Sequence, residues 1–254
     1  MSTELTIEGK PTDASFDFYV RHRTGVIPAT FWNAERPLGA KTPISLVQHG
    51  GPLHKRHERT EWLVKSILAR TGGAVLLIDG PIHGQRRTEQ LELMAMLGEF
   101  KEFWRKDGGI DAMVSDWKRV LDIVLEEQWA DPNRIAWVGV SMGTAYGIPV
   151  CASDERIKAA VFGMWSTDWG QETRLIEDAR RMKTPTLFQI KAEDEIFAIA
   201  GQRKLFDAVG SANKTLSTYP GGHSLTAPGQ LDQILDFVTE TFHEAKASES
   251  SSGA

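Results

Sequence analysis

The chain has 254 residues, 41% of them hydrophobic and 25% charged, with a formal net charge of −5. That mild acidity argues against nucleic acid as a partner, because phosphate binding needs a basic face. A single cysteine, Cys151, excludes an internal disulfide framework and fits a reducing compartment.

Taken in order, residues 1–12 read as a loosely held arm with a short strand at Leu5-Thr6-Ile7. Residues 16–20 and 26–32 alternate apolar and polar positions around a turn at Gly25, the pattern of a hairpin. Residues 43–48 form an apolar strand ending in His49-Gly50-Gly51-Pro52, followed by a helix over 55–71 with Trp62, Val64, Ile67 and Leu68 at helical spacing. Ala74-Val75-Leu76-Leu77-Ile78 is a continuous apolar run, as in a strand buried on both faces of a parallel sheet. Residues 91–104 carry Met and aromatic side chains that suit either core packing or a small lid. A longer helix over 111–128 presents Val114, Trp117, Leu121, Val124 and Leu125 on one side. Strands follow at 134–138, 157–162, 186–190 and 214–218, separated by helical stretches, and a last helix runs from about 231 to 245.

Strands alternating with helices from residue 43 onward predict an α/β fold. The expected sheet is mainly parallel and eight-stranded, with helices on both faces and the N-terminal hairpin as an antiparallel edge. The short span from Phe162 to Thr186 leaves no room for a large cap domain. No linker, repeat or shift of composition divides residues 1–245, so one domain is expected, with 246–254 as a disordered low-complexity tail. Residues 1–10 lack the apolar core of a signal peptide, and no run approaches the roughly 18 apolar residues of a membrane span. A cytoplasmic monomer or homodimer, without membrane, metal or cofactor, is the expectation.

The chemistry centres on Gly139-Val140-Ser141-Met142-Gly143, between a strand and a small-residue helix. A strand, G-x-S-x-G and a helix describe a nucleophile elbow, where glycines let strand and helix pass closely and the serine hydroxyl projects from the sheet. A serine hydroxyl needs a base to take its proton, a carboxylate to orient that base, and donors for an oxyanion. His223, in the glycine-flanked loop Gly221-Gly222-His223-Ser224, is the candidate base, with His83 second. Asp194, in Glu193-Asp194-Glu195 just beyond a strand, is the candidate acid; Asp79 competes but reads better as a loop brace beside Gly80-Pro81. Backbone N–H groups of Met142 and of Gly51, or of Gly50 beside it, are the candidate oxyanion donors, whereas Pro52 has no N–H to give. Trp165, Trp169, Phe197 and His83 follow strands near this end of the sheet and are candidate pocket walls. Arg86 and Arg87 read as a surface pair before an anion site.

Together His49-Gly50-Gly51, Asp79-Gly80-Pro81-Ile82-His83-Gly84, Gly139 to Gly143, Asp194-Glu195-Ile196 and Gly222-His223-Ser224 resemble the α/β-hydrolase superfamily, over nearly the whole chain. Asp131-Pro132-Asn133-Arg134-Ile135 is similar to the branch of dienelactone hydrolases and small esterases. Dienelactone hydrolases use a cysteine nucleophile where this chain has Ser141, and Ile82 stands where relatives commonly have glycine. The resemblance therefore implies a serine esterase working through Ser141, His223 and Asp194, and a small site with aromatic walls suggests short-chain or aryl esters as substrates. Lactone or thioester hydrolysis, amide or aminopeptide cleavage, and a non-catalytic binding protein of the same fold are the alternatives.

Overall fold

The computed structural model describes residues 5–34 and 38–252, with side chains as far as His243. Among these residues nine strands form one sheet. They are β1 (Leu5–Glu8), β2 (Ser15–His22), β3 (Gly25–Asn33), β4 (Ile44–Val47), β5 (Ala74–Ile78), β6 (Ile135–Val138), β7 (Ile157–Gly163), β8 (Thr186–Lys191) and β9 (Lys214–Tyr219). Their spatial order is β1-β2-β3-β5-β4-β6-β7-β8-β9. The first three strands are antiparallel to their neighbours, β3 pairs antiparallel with β5, and β4 through β9 run parallel. The eight expected strands are all present. The ninth is β1, where Leu5 and Ile7 face inward on the edge of the hairpin.

Seven helices cover the sheet among the described residues: α1 (Glu58–Thr71), α2 (Leu93–Lys106), α3 (Ile110–Glu126), α4 (Met142–Ser153), α5 (Glu172–Arg181), α6 (Ile199–Ala208) and α7 (Gln230–Ser252). The two-residue side-chain period of the strands divides the apolar residues between two cores. Ala74, Leu76 and Ile78 of β5 join Trp117, Val120 and Val124 of α3 on one face. Val75 and Leu77 join Val64 and Ile67 of α1 and Ile234 and Val238 of α7 on the other. All five side chains of β5 are fully buried, and Val75, Leu76, Leu77 and Ile78 each contribute about 1.5–3 kcal/mol on transfer from water.

Three local expectations change. The buried stripe of α1 is Thr60, Leu63, Val64 and Ile67: Val64 and Ile67 are buried as expected, whereas Leu68 is half-buried and Trp62 stands 47% exposed. Residues 91–104 divide: Met96, Phe100 and Trp104 of α2 are buried, and Phe100 touches His83, Tyr146 and Trp165, while Leu93 and Met94 are exposed. The backbone of α7 continues to Ser252, past the expected end near residue 245; Gly253 and Ala254 of the expected tail lie outside the described residues. No helix among the described residues is long and apolar enough to cross a membrane.

Candidate active site

Ser141 sits between β6 and α4 with φ 58° and ψ −124°, a conformation that costs a non-glycine residue on the order of 1–3 kcal/mol. Neighbouring bonds hold it there. The Ser141 N–H donates to the Gly163 carbonyl at 2.9 Å. The Thr144 hydroxyl donates to the same carbonyl at 2.7 Å and accepts from the Gly163 N–H at 2.8 Å, tying the first turn of α4 to the end of β7. Strand β6 is short and wholly buried, so the elbow has little freedom to relax by shifting the strand beneath it.

His223 lies in the loop between β9 and α7, and its Nε2 is 3.1 Å from Ser141 Oγ. Its Nδ1 is 3.1 Å from Asp194 Oδ2, so a ring protonated at Nδ1 presents Nε2 as an acceptor to the serine hydroxyl. Asp194, at the carboxyl end of β8, has a fully buried side chain, whereas that of His223 is 14% exposed. The second oxygen of Asp194 accepts N–H bonds from Ile196 and Phe197, both at 2.9 Å, and Gln202 donates to the first at 3.3 Å. Burial works to raise the Asp194 pKa. The hydrogen bonds from His223 and from the Phe197 and Ile196 amides outweigh it and hold the carboxyl below its ordinary value. Phe197 covers one side of the imidazole, ring centroids 5.3 Å apart.

The competitors for these positions have other partners. Asp79 accepts the N–H groups of Lys55 at 3.0 Å and Gln85 at 2.9 Å, so it braces two loops. The fully buried His83 hydrogen-bonds the Gly51 carbonyl through Nε2 at 2.7 Å, and burial holds its pKa well below the ordinary value. Arg86 pairs with the buried Asp116 and Arg87 with Glu99, each at 2.6 Å.

His49 fixes the loop opposite Ser141. Its Nε2 accepts the Gly80 N–H at 2.9 Å, which leaves the proton on Nδ1 to donate to the Gly50 carbonyl, also 2.9 Å away. Burial lowers its pKa to about 4, so the ring is neutral. The Gly50 carbonyl also receives the Leu53 N–H at 3.0 Å. Because a trans peptide points its C=O and N–H in opposite directions, two bonds on this carbonyl fix the aim of the Gly51 N–H. Among the described residues, neither the Gly51 N–H nor the Met142 N–H has a protein acceptor.

A cavity of about 640 Å³ opens at Ser141 and His223. Its apolar walls are Leu53, Trp62, Leu63, Met164 and Leu225, with Glu58 and Arg59 from the first turn of α1 beside them. The expected walls are elsewhere. Trp165, Trp169 and Phe197 pack on one another at 4.7–5.3 Å and are at most 9% exposed, filling the core on the α2 side, and none of them borders this cavity. Nor does His83. The cavity is lined by the segments after β4, β6, β7 and β9 and, on one side, by the start of α1. Among the described residues, no three His, Cys, Asp or Glu side chains converge as a metal site would require.

Several solved structures share this arrangement of sheet and helices. A cold-adapted esterase from an Arctic intertidal metagenomic library, in a PEG-bound complex, is 29% identical with a TM-score of 0.80, over 95% of this chain and 99% of that one. The fold also matches acetyl xylan esterase from Paenibacillus sp. R4, 16% identical with a TM-score of 0.68, over 94% of this chain and 88% of that one. Dienelactone hydrolase from Anabaena variabilis ATCC 29413 is 18% identical with a TM-score of 0.62, over 91% and 99%. The chain has the α/β-hydrolase fold. No family model and no curated protein matches the sequence. In this fold the serine, the imidazole and the carboxylate come from three separate loops at one end of the parallel strands, where such sheets gather their sites.

Proposed function

We propose that this α/β hydrolase is a serine carboxylesterase whose nucleophile is Ser141. The observation that carries the reading is the hydrogen-bonded series Ser141 Oγ, His223, Asp194, at 3.1 Å per link, beside the cavity. His223 Nε2 takes the hydroxyl proton as Ser141 Oγ bonds to the ester carbonyl carbon. The carbonyl electrons move to oxygen, and the N–H groups of Met142 and Gly51, with Gly50 as the alternative, receive that charge. Collapse breaks the ester C–O bond, and the alcohol leaves with the proton from His223. Water then attacks the acyl-enzyme, again giving its proton to His223, and the acid departs as Ser141 regains its hydrogen. Asp194 keeps the imidazole in the working tautomer and stabilises its charged form.

The cavity supports esters with an aryl or similarly bulky apolar group over acetyl esters alone, since about 640 Å³ falls within the usual range of small-molecule pockets. Glu58 beside that cavity gives the aminopeptidase alternative a carboxylate for a substrate amine. Turnover of a nitrophenyl ester series and of the matching aminoacyl anilides separates the two. Esters hydrolysed faster than anilides, with kcat/KM rising from acetate to larger acyl groups, support the esterase. Anilides preferred, with a loss in Glu58→Gln, would replace it.

A further inference from the structure

The loop that carries His223 is irregular and has no strand or helix ladder to hold its backbone from Pro220 to Gly229. Two of its backbone donors instead find carboxylates. The His223 N–H donates to Glu195 Oε2 at 2.9 Å, and the Gly221 N–H donates to the Glu193 carboxylate. The Glu193 N–H returns a bond to the Gly221 carbonyl at 3.3 Å, closing a reciprocal pair between the two loops. The three adjacent acids after β8 are thus all engaged with the histidine loop, Asp194 with the ring and its two neighbours with the main chain.

Gly222 marks how closely this fit is made. A methyl group there would lie 2.5 Å from Glu195 Oε2, so any larger residue displaces the carboxylate or the loop. Glu195 is itself exposed, and its carboxyl is held below its ordinary pKa by its own backbone N–H and then by that of His223. An exposed carboxylate adds little to the fold, yet this one meets the main chain of the residue whose ring must reach Ser141. We propose that Glu195, supported by Glu193, is a positioning residue that fixes the His223 backbone and so sets the placement of the imidazole over Ser141. Neither glutamate touches the reacting atoms. The proposal rests on the reading of His223 as the base.

The test compares the full-length wild type with Glu195→Ala, Glu195→Gln, Gly222→Ala and the Glu193→Ala/Glu195→Ala double variant on one nitrophenyl ester. Glutamine keeps an oxygen to accept the His223 N–H, whereas alanine does not. The expected result is a kcat about ten- to a hundredfold lower in Glu195→Ala and Gly222→Ala, as a displaced catalytic group gives, with KM little changed. Glutamine restores most of that kcat, the double variant falls further, and the melting temperature of Glu195→Ala stays near wild type. Wild-type kcat in Glu195→Ala overturns the proposal. So does a glutamine variant as slow as alanine, which would place the effect in the charge, or a kcat loss that follows a lowered melting temperature. Activity retained by Ser141→Ala would instead sink the esterase reading itself, and with it the role assigned to His223.

Discussion

Gly143 and Gln48 meet where α4 passes the end of β4: a methyl group added to Gly143 would lie 2.9 Å from the Gln48 carbonyl oxygen. The last glycine of the elbow therefore sets the spacing between the nucleophile turn and the loop that begins at His49. Because the contact is backbone, a larger residue cannot be accommodated by a rotamer change. Gly143→Ala is expected to cost about 1–3 kcal/mol, as overpacking of a close-packed site does. The melting temperature falls accordingly, by roughly 2–4 °C for each kcal/mol in a chain of this size. Calorimetry and esterase assays of the purified variant check it, with kcat lowered along with stability.

Asp194→Asn keeps the shape of the site but removes the charge that orders the imidazole. With an amide beside Nδ1 the ring has reason to carry its proton on the wrong nitrogen, and the expected fall in kcat is about 10⁴-fold. The same change at Asp79 leaves the His223 ring untouched, since the Asp79 carboxylate accepts the Lys55 and Gln85 amides and, among the described residues, has no hydrogen bond to His223. Its main effect is expected on stability. Side-by-side kcat and thermal unfolding of the two variants separate the roles.

How far the site could be read from sequence differs by residue. Ser141 was legible because a strand, two glycines and a helix around one serine leave little other geometry. His223 was legible from its place after the last strand. Asp194 was recognisable only as one of three adjacent acids, because sequence cannot say which carboxylate of Glu193-Asp194-Glu195 turns inward; in the structure the loop's N–H groups wrap Asp194 and leave its neighbours facing the histidine loop. The expected pocket walls do not border the cavity at Ser141. Trp165, Trp169 and Phe197 are aromatic and follow strands, but which sheet face has space above Ser141 depends on how closely α1 and α2 approach it, and no local pattern encodes that. The parallel sheet itself was clear, since β5 and its neighbours are apolar on both faces.

The cavity gives a specificity prediction. Leu63 is 8% exposed and lines the cavity from α1. Leu63→Trp fills part of that space and is expected to lower kcat/KM for bulky or aryl-acyl esters by about tenfold or more, while sparing the acetate ester. Initial rates over an ester series check it. An equal loss for all esters would mean that the substrate does not extend toward α1.

Acid sensitivity follows from His49. Its pKa drops from the ordinary 6.5 to about 4 on folding because burial disfavours the charged ring. The unfolded chain therefore binds this proton at higher pH than the folded one, so stability falls as pH drops from about 6.5 to about 4 and changes no further from this group below that. The full span is worth on the order of 3 kcal/mol. His83, also held neutral by burial, acts in the same direction. Thermal unfolding from pH 8 to pH 4 should show the decline in wild type and a shallower slope in His49→Gln, which has no proton to gain.

The most direct test of Ser141 as the nucleophile and His223 as its base is peptide mass spectrometry after treatment with a fluorophosphonate. One phosphonyl adduct is expected, on the peptide containing Ser141, appearing in step with loss of ester turnover and strongly slowed in His223→Ala. An adduct on another residue, or ester turnover that persists once Ser141 is fully modified, would contradict it.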